Sequence, residues 1–196
     1  PLSMKKINLL FLALLFTAGS ALAQAQFSVG IKGGLNFAKF DATEFGESVK
    51  GKTGFHGGAF ALIKLSKIGI QPELIFSQQG SKATFDSGKG EGNFDYINIP
   101  VMLKLYTVAG INLQLGPQFG FLSRAEIEGD NVKSSFKSSD LSLGIGAGWD
   151  LPFGLTIDAR YNLGLSKIED NDPAYEAVKN QVLQVSLGYK ILKIGK

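Results

Sequence analysis

A chain of 196 residues is long enough for one domain with a full core or for one closed barrel. It has no Cys, which excludes a disulfide framework and a cysteine metal site, and its 25 Gly and 15 Phe are high counts for this length. The formal net charge of +3 is near neutral for this length and gives no basic stripe, so nothing predicts nucleic-acid binding.

The N-terminal residues have the composition of an export signal. Met4-Lys5-Lys6 supplies a positive region, Ile7–Phe16 an apolar run, and Ala21-Leu22-Ala23 a small-residue cleavage site. A transmembrane anchor would need about 20 apolar residues, more than this run contains. The predicted parts are residues 1–3, extraneous to the natural protein; residues 4–23, a signal peptide; and residues 24–196, one mature barrel domain.

Eight later segments alternate apolar and polar residues, which is the two-residue period of a β-strand with two different faces. In Phe27–Ala38, for example, apolar side chains hold one parity, while polar residues or Gly hold the other. The predicted strands are residues 26–38, 54–66, 68–80, 94–106, 110–122, 139–151, 154–166 and 180–192. If the mature chain enters a membrane, it must cross as strands, because no other apolar run is long enough for a spanning helix.

The predicted connections are alternately short and long. The short ones lie around residues 66–68, 107–110 and 151–154, and the long ones are residues 39–53, 81–93, 123–138 and 167–180. With both termini at one end of a barrel, all the short turns share that end and all the long loops lie opposite. This is the arrangement of outer-membrane barrels.

Charged residues fall on the parity opposite the apolar one. They are Lys32, Lys64, Glu73, Lys104, Asp150, Asp158, Arg160 and Lys190. Charges of both signs that project into one confined lumen can pair, and Arg160, Glu73, Asp158 and Lys104 are the best candidates for salt bridges. Alternation alone is unchanged by turning the sheet inside out, so it also allows a soluble barrel with an apolar interior. The export signal, the loop asymmetry and the extent of the apolar face favour lipid outside.

We therefore predict an all-β fold, an eight-stranded antiparallel up-and-down transmembrane β-barrel. Aromatic residues on the apolar parity are typical of a girdle at the membrane interface. Those predicted to face lipid are Phe27, Phe37, Phe119, Trp149, Tyr161 and Tyr189.

Two sets of residues do not fit a regular barrel. Pro72, Pro100 and Pro117 lie inside predicted strands, where a closed sheet offers no edge for a missing donor, so we expect bulges or strand ends there. Apolar residues also occur on the lumen parity of the second and third strands. They are Phe60, Leu62 and Ile75, and they indicate either a register slip or a local apolar plug.

Several stretches resemble a known family of membrane proteins. Residues Glu73–Lys82, Tyr96–Tyr106 and Ile111–Leu122, together with Val29–Ala38, are similar to the small outer-membrane β-barrel family named after PorT. The resemblance implies an eight-stranded barrel like the OmpA membrane domain or OmpX. The family's namesake is implicated in a protein secretion system, but no motif here indicates that role.

No catalytic motif stands out. His56 is the only His, and no Ser or Thr with a third orienting group accompanies it in the sequence. The acidic loop residues, such as Glu126, Glu128 and Asp130, do not have the spacing of a calcium loop. We predict no enzymatic activity, no cofactor and no metal.

The expected protein is a monomer in the bacterial outer membrane that contacts its lipid. Its interior is too narrow for a wide pore, and its long loops would contact a protein or surface ligand. The alternatives are an accessory component of an envelope secretion complex, a secreted lipocalin-like lipid binder and a hydrolase that uses His56 at the lumen rim.

Overall fold

The computed structural model describes residues 25–40, 50–85, 88–127, 130–131, 139–165 and 180–195. In these ranges the strands are β1 (Gln26–Phe40), β2 (Lys50–Leu65), β3 (Ile68–Phe85), β4 (Gly88–Tyr106), β5 (Ile111–Ile127), β6 (Asp130–Asn131), β7 (Ser139–Asp150), β8 (Leu155–Gly164) and β9 (Asn180–Ile194). The two-residue β6 only extends β5 as a short hairpin. The other eight strands form a closed antiparallel up-and-down barrel, because β4 pairs with β5, β5 with β7 and β9 with β1. The predicted fold class is confirmed.

The three short turns lie on one rim of the barrel, which we call the turn end. Hydrogen bonds join each turn to the next hairpin: Tyr106 N–H donates to Lys67 O, and Asp150 N–H donates to Gly110 O. Lys190 N–H donates to Gly154 O in the same way. Ala109 and Gly110 adopt positive φ, which reverses the chain tightly between β4 and β5.

The polar parity faces the lumen. In β8 the burial alternates along the strand, with Asp158 and Arg160 buried and Ile157 and Tyr161 exposed. The same alternation holds in β5 and β9, where amide and hydroxyl side chains are buried and Leu and Val are exposed. A lipocalin-like binder has the opposite orientation, with its apolar parity inside. That alternative is therefore wrong.

The strand prolines interrupt hydrogen bonding without shifting the register. They lie in adjacent strands: Pro72 in β3, Pro100 in β4 and Pro117 in β5. The β2–β3 pairing runs from Phe60–Glu73 directly to Ile63–Ile70, and Pro72 lies in that gap. The β3–β4 and β4–β5 ladders have equivalent gaps at the other two prolines. The expected bulges or strand ends are wrong, because two omitted residue pairs are enough to accommodate a missing N–H donor.

The apolar residues on the lumen parity are buried inside the barrel. Phe60, Leu62 and Ile75 are each at most 3% exposed, and the β2–β3 register is unshifted around them. Of the two alternatives, an apolar plug is therefore the one observed. Gly30 of β1 leaves the space that the Phe60 ring occupies, since a Cβ at Gly30 would collide with that ring.

One predicted loop is largely strand. β3 continues to Phe85 and β4 begins at Gly88, and these two residues pair across the hairpin. The sequence alternation stops near residue 80 because this part of the hairpin has no long apolar face. Backbone pairing needs no such face, so the strands extend beyond the predicted ends.

Candidate functional site

Charged side chains from six strands meet in the lumen. The described members, which we call the lumen network, are Lys32 of β1, Glu73 of β3, Lys104 of β4, Asp150 of β7, Asp158 and Arg160 of β8, and Lys190 of β9. Each reaches the lumen because it has the inward parity of its strand. Sequence parity therefore predicts the face of these residues, and the structure supplies their partners.

The part of the network that lies farther from the turn end is centred on Glu73. Arg160 binds this carboxylate with two nitrogens, Nη2 at 2.7 Å from Oε1 and Nη1 at 3.1 Å from Oε2. Lys32 Nζ lies 3.4 Å from Glu73 Oε1 and 3.3 Å from Asp158 Oδ2, so it bridges two acids. These four side chains are at most 4% exposed, which makes the attraction between them strong and the loss of one partner costly.

The network continues toward the turn end through Lys104. Its Nζ lies 3.7 Å from Asp158 Oδ1 and 3.1 Å from Asp150 Oδ1. Lys190 Nζ is 2.7 Å from Asp150 Oδ2, and the Tyr106 hydroxyl donates to the same oxygen at 2.8 Å. Each described carboxylate of the network thus contacts two cations, which compensates its burial in the lumen.

Two amide side chains add further hydrogen bonds to the network. Gln71 Nε2 donates to Glu73 at 2.8 Å, and Gln71 Oε1 accepts from Lys104 at 3.2 Å. Gln114 donates to Asp158 and accepts from Arg160 Nη2 at 3.1 Å. Gln71 was not among the residues predicted for the lumen. Gln71 lies two residues before Glu73 in β3 and so has the same inward parity, which is the signal that could have identified it.

A second, uncharged cluster surrounds His56. Its Nδ1 lies 2.8 Å from Asn36 Oδ1, and its Nε2 lies 2.8 Å from Ser186 Oγ. Gln184 also donates to Asn36 Oδ1, at 3.0 Å, while Asn36 Nδ2 donates to Ser77 Oγ at 2.9 Å. Because an oxygen faces His56 Nδ1, this network assigns the proton of the neutral ring to Nδ1 and leaves Nε2 to accept from the Ser186 hydroxyl.

The His56 cluster has the connectivity of a nucleophile, a base and an orienting group, but a substrate has no access to it. Ser186, His56 and Asn36 are 4%, 3% and 0% exposed. A reacting carbonyl must come within about 3–3.5 Å of the nucleophile, which this packing prevents. His56 was predicted near the lumen rim, and the structure places it inside the lumen, where it joins β2 to β1 and β9. The geometry supports a structural role.

Lys64 is the predicted lumen residue that does not join the lumen network. Its ammonium lies 4.1 Å from the centroid of the Tyr106 ring, and it has no carboxylate partner among the described residues. The other seven predicted residues are the members of the lumen network. Tyr106, which was not predicted to face the lumen, packs beneath Lys64 and bonds to Asp150.

The predicted aromatic residues lie on the outer face. Phe27, Phe37, Phe119, Trp149, Tyr161 and Tyr189 are 36–51% exposed. Trp149 also donates its Nε1–H to Ala109 O at 2.9 Å, near the turn end. An apolar ring body with a hydrogen-bonding edge suits the boundary between hydrocarbon and water.

Within the described ranges, no group of three or more His, Cys, Asp or Glu side chains is placed to hold a metal ion. The described part of the chain also contains no helix with the length and hydropathy needed to cross a membrane.

An eight-stranded barrel with an apolar outer face and an ion-paired lumen defines the class of small outer-membrane barrels. Residues 22–170 match the family model described as outer membrane protein beta-barrel domain. The chain belongs to this family, and the protein is located in the bacterial outer membrane. No curated protein matches the chain in sequence.

Solved structures share this fold. Neisserial surface protein A (NspA) is 15% identical with a TM-score of 0.51, and the alignment covers 84% of this chain and 97% of NspA. Ail, the attachment invasion locus protein of Yersinia pestis, in complex with the heparin analogue sucrose octasulfate, is 17% identical with a TM-score of 0.50. That alignment covers 87% of this chain and 99% of Ail. At these identities the likeness shows the fold alone.

Proposed function

We propose that the protein is a monomeric structural or interaction barrel, without enzymatic activity, whose contacts with a protein or surface ligand are made at the end opposite the short turns. The observation that carries the proposal is the lumen network. Arg160 and Glu73 connect opposite walls of the barrel, and Lys104 continues the ion pairs toward the turn end. Since an eight-stranded barrel is just wide enough for its own side chains, this network leaves no wide pore.

A planar-bilayer recording of the purified protein tests the closed lumen. We expect no defined conductance steps, because the buried side chains of the lumen network fill the interior of the barrel. Regular unitary steps that disappear when Lys32 is replaced by a bulkier Arg would contradict the proposal.

Photo-crosslinking in living cells tests where contacts are made. A crosslinking amino acid at Tyr175, between β8 and β9, is expected to capture a protein or surface polysaccharide. The matched position Val108, in the short turn between β4 and β5, is expected to capture neither. Capture at Val108 with none at Tyr175 would place the contact surface at the turn end and contradict the proposal.

The resemblance to the PorT family supports a second candidate, an accessory component of an envelope secretion complex. Such a component would co-purify with envelope proteins in a defined ratio after mild detergent extraction. A barrel that purifies alone, while its Tyr175 crosslinks persist, favours the first candidate. The export signal proposed for residues 4–23 is tested separately by the N-terminal sequence of the mature protein.

A further inference from the structure

A pocket of about 290 Å³ opens at the turn end of the lumen. The first residues of β1 form one side of it, with Gln26 opposite Lys64 of β2 and Ser28 opposite Lys193 of β9. The β1–β9 register shifts between Val29 and Gly30, and Lys190, which pairs with Gly30, lines the same pocket. The closure of the barrel at β1 and β9 therefore brings three lysines from distant parts of the sequence to one cavity.

The carboxylate at this pocket is already occupied. Asp150 is the one acidic residue among the described residues that line the pocket. Its oxygens accept hydrogen bonds from Lys104 at 3.1 Å, Lys190 at 2.7 Å and the Tyr106 hydroxyl at 2.8 Å. Little of its charge remains to neutralise the other two lysines.

Lys64 and Lys193 make only contacts with neutral groups in the part of the chain that the structure describes. Lys64 Nζ lies 4.1 Å from the Tyr106 ring centroid, and Lys193 Nζ donates to Pro152 O at 3.1 Å. Within the described residues the pocket thus combines three ammonium groups with one carboxylate. This excess of positive charge in a concave, partly walled site attracts anions.

We propose that this turn-end pocket binds a phosphate group. Lysine ammonium groups bind phosphate as point charges, and the Gln26 amide and Ser28 hydroxyl supply further hydrogen-bond donors. The volume is close to the lower limit of about 300 Å³ for small-molecule pockets, which suits a phosphate with a small substituent such as glycerol.

The phosphate can come from a lipid headgroup or from a soluble phosphate ester. Ile194, Leu151 and Pro152 continue the pocket wall as an apolar rim, which an acyl chain could contact. Basic clusters beside a membrane bind anionic headgroups in this manner. Binding is expected to weaken as salt rises, because the attraction is largely electrostatic.

The experiment uses the complete mature barrel in zwitterionic detergent at low salt. Glycerol 3-phosphate and a short-chain phosphatidylglycerol are titrated separately by calorimetry. The double substitution Lys64→Gln and Lys193→Gln is expected to raise Kd at least 10-fold for whichever probe binds. Lys67→Gln, in the neighbouring turn but outside the pocket lining, is the matched control and is expected to leave Kd unchanged.

The two probes separate the sources of the phosphate. Tighter binding of phosphatidylglycerol identifies a headgroup site, and equal or tighter binding of glycerol 3-phosphate identifies a site for soluble esters. Either result supports the pocket. Absence of binding by both probes, or equal Kd values for the wild type and the double variant, overturns the proposal.

A measurement on the wild type keeps the proposal testable if the double variant does not fold. Lysine acetylation is followed by mass spectrometry with and without the probe that binds more tightly. We expect the probe to protect Lys64 and Lys193 at least severalfold and to leave Lys67 unprotected. If adding the probe leaves the acetylation of Lys64 and Lys193 unchanged, as it is expected to leave that of Lys67, a phosphate in the pocket is excluded.

Discussion

Arg160 and Glu73 form a two-nitrogen salt bridge across the diameter of the barrel. Their strands, β8 and β3, are four strands apart in both directions around the eight-stranded ring. Each side chain therefore leaves its own wall and meets the other near the axis. Removing one partner would leave the other buried and only partly compensated.

We predict that Arg160→Met destabilises the barrel by about 3–5 kcal/mol, the usual cost of breaking a buried ion pair. Lys32, 3.4 Å from Glu73, remains as a partial counter-ion and should keep the loss toward the lower value. Urea unfolding in lipid vesicles, followed by the fluorescence of Trp149, the only Trp, measures the change.

The double variant Arg160→Met with Glu73→Met should lose less stability than the two single variants together, because no unpaired charge remains. Lys67→Met, on an exposed turn, is the control and should change stability by less than about 0.5 kcal/mol. Strict additivity of the two lumen substitutions would mean that the pair is not coupled.

The adjacent glycines of β1 should respond differently to the same methyl group. A Cβ at Gly34 would collide with the backbone carbonyl of Val185, whereas a Cβ at Gly33 comes no closer than 3.4 Å to His56 O. Gly34→Ala is therefore expected to cost about 1–3 kcal/mol or more, and Gly33→Ala is expected to be tolerated. The temperature at which the folded band disappears on a semi-native gel compares them. Equal temperatures would mean that β1 and β9 are not in close contact here.

An Arg on the outer face tests contact with lipid. Val185 is 43% exposed on that face and lies between Leu35 and Ala159 of the adjacent strands. Val185→Arg is expected to cost about 2–4 kcal/mol if the position is near the bilayer middle, and Leu143→Arg should behave alike.

Val108→Arg is the matched control for the lipid face, because Val108 is 75% exposed in a turn outside the strands. It should cost no more than about 1 kcal/mol. Both variants are compared by unfolding in vesicles. A negligible cost at Val185 and Leu143 would contradict lipid contact there.

His56→Ala should destabilise the barrel by about 1–3 kcal/mol, because Asn36 and Ser186 lose a buried partner. Ser186→Ala removes a single hydroxyl contact and should cost less. Hydrolysis of a soluble nitrophenyl ester is expected to be the same for wild type and His56→Ala. A drop in hydrolysis with unchanged stability would instead indicate a catalytic His56.

Strand positions, and the sets of side chains that share a face, could be predicted well because alternation is a local property. Strands β7 (Ser139–Asp150) and β8 (Leu155–Gly164) begin and end within two residues of the strands predicted at 139–151 and 154–166. Glu73 and Arg160 share the polar parity of their strands, and they meet in the lumen although 87 residues separate them.

The partners within the lumen could not be predicted, because parity gives the face of a side chain and not its height along the axis. The stagger of the closed sheet sets that height. It places Ser186 beside His56, 130 residues away in the sequence. It also puts the Lys64 ammonium over the Tyr106 ring, where it forms no ion pair with the described acids. The way in which the strand prolines are accommodated could not be predicted either, because it depends on gaps in the pairing between neighbouring strands.

The sequence by itself determined the β class, the number of spanning strands and the two unlike faces of each strand, because these depend on neighbours along the chain. Only the tertiary structure decided which face turned inward and which charges met. A strand pattern reads the same in either orientation, and pairing β1 with β9 is what confines one face to a narrow interior where buried charges require partners.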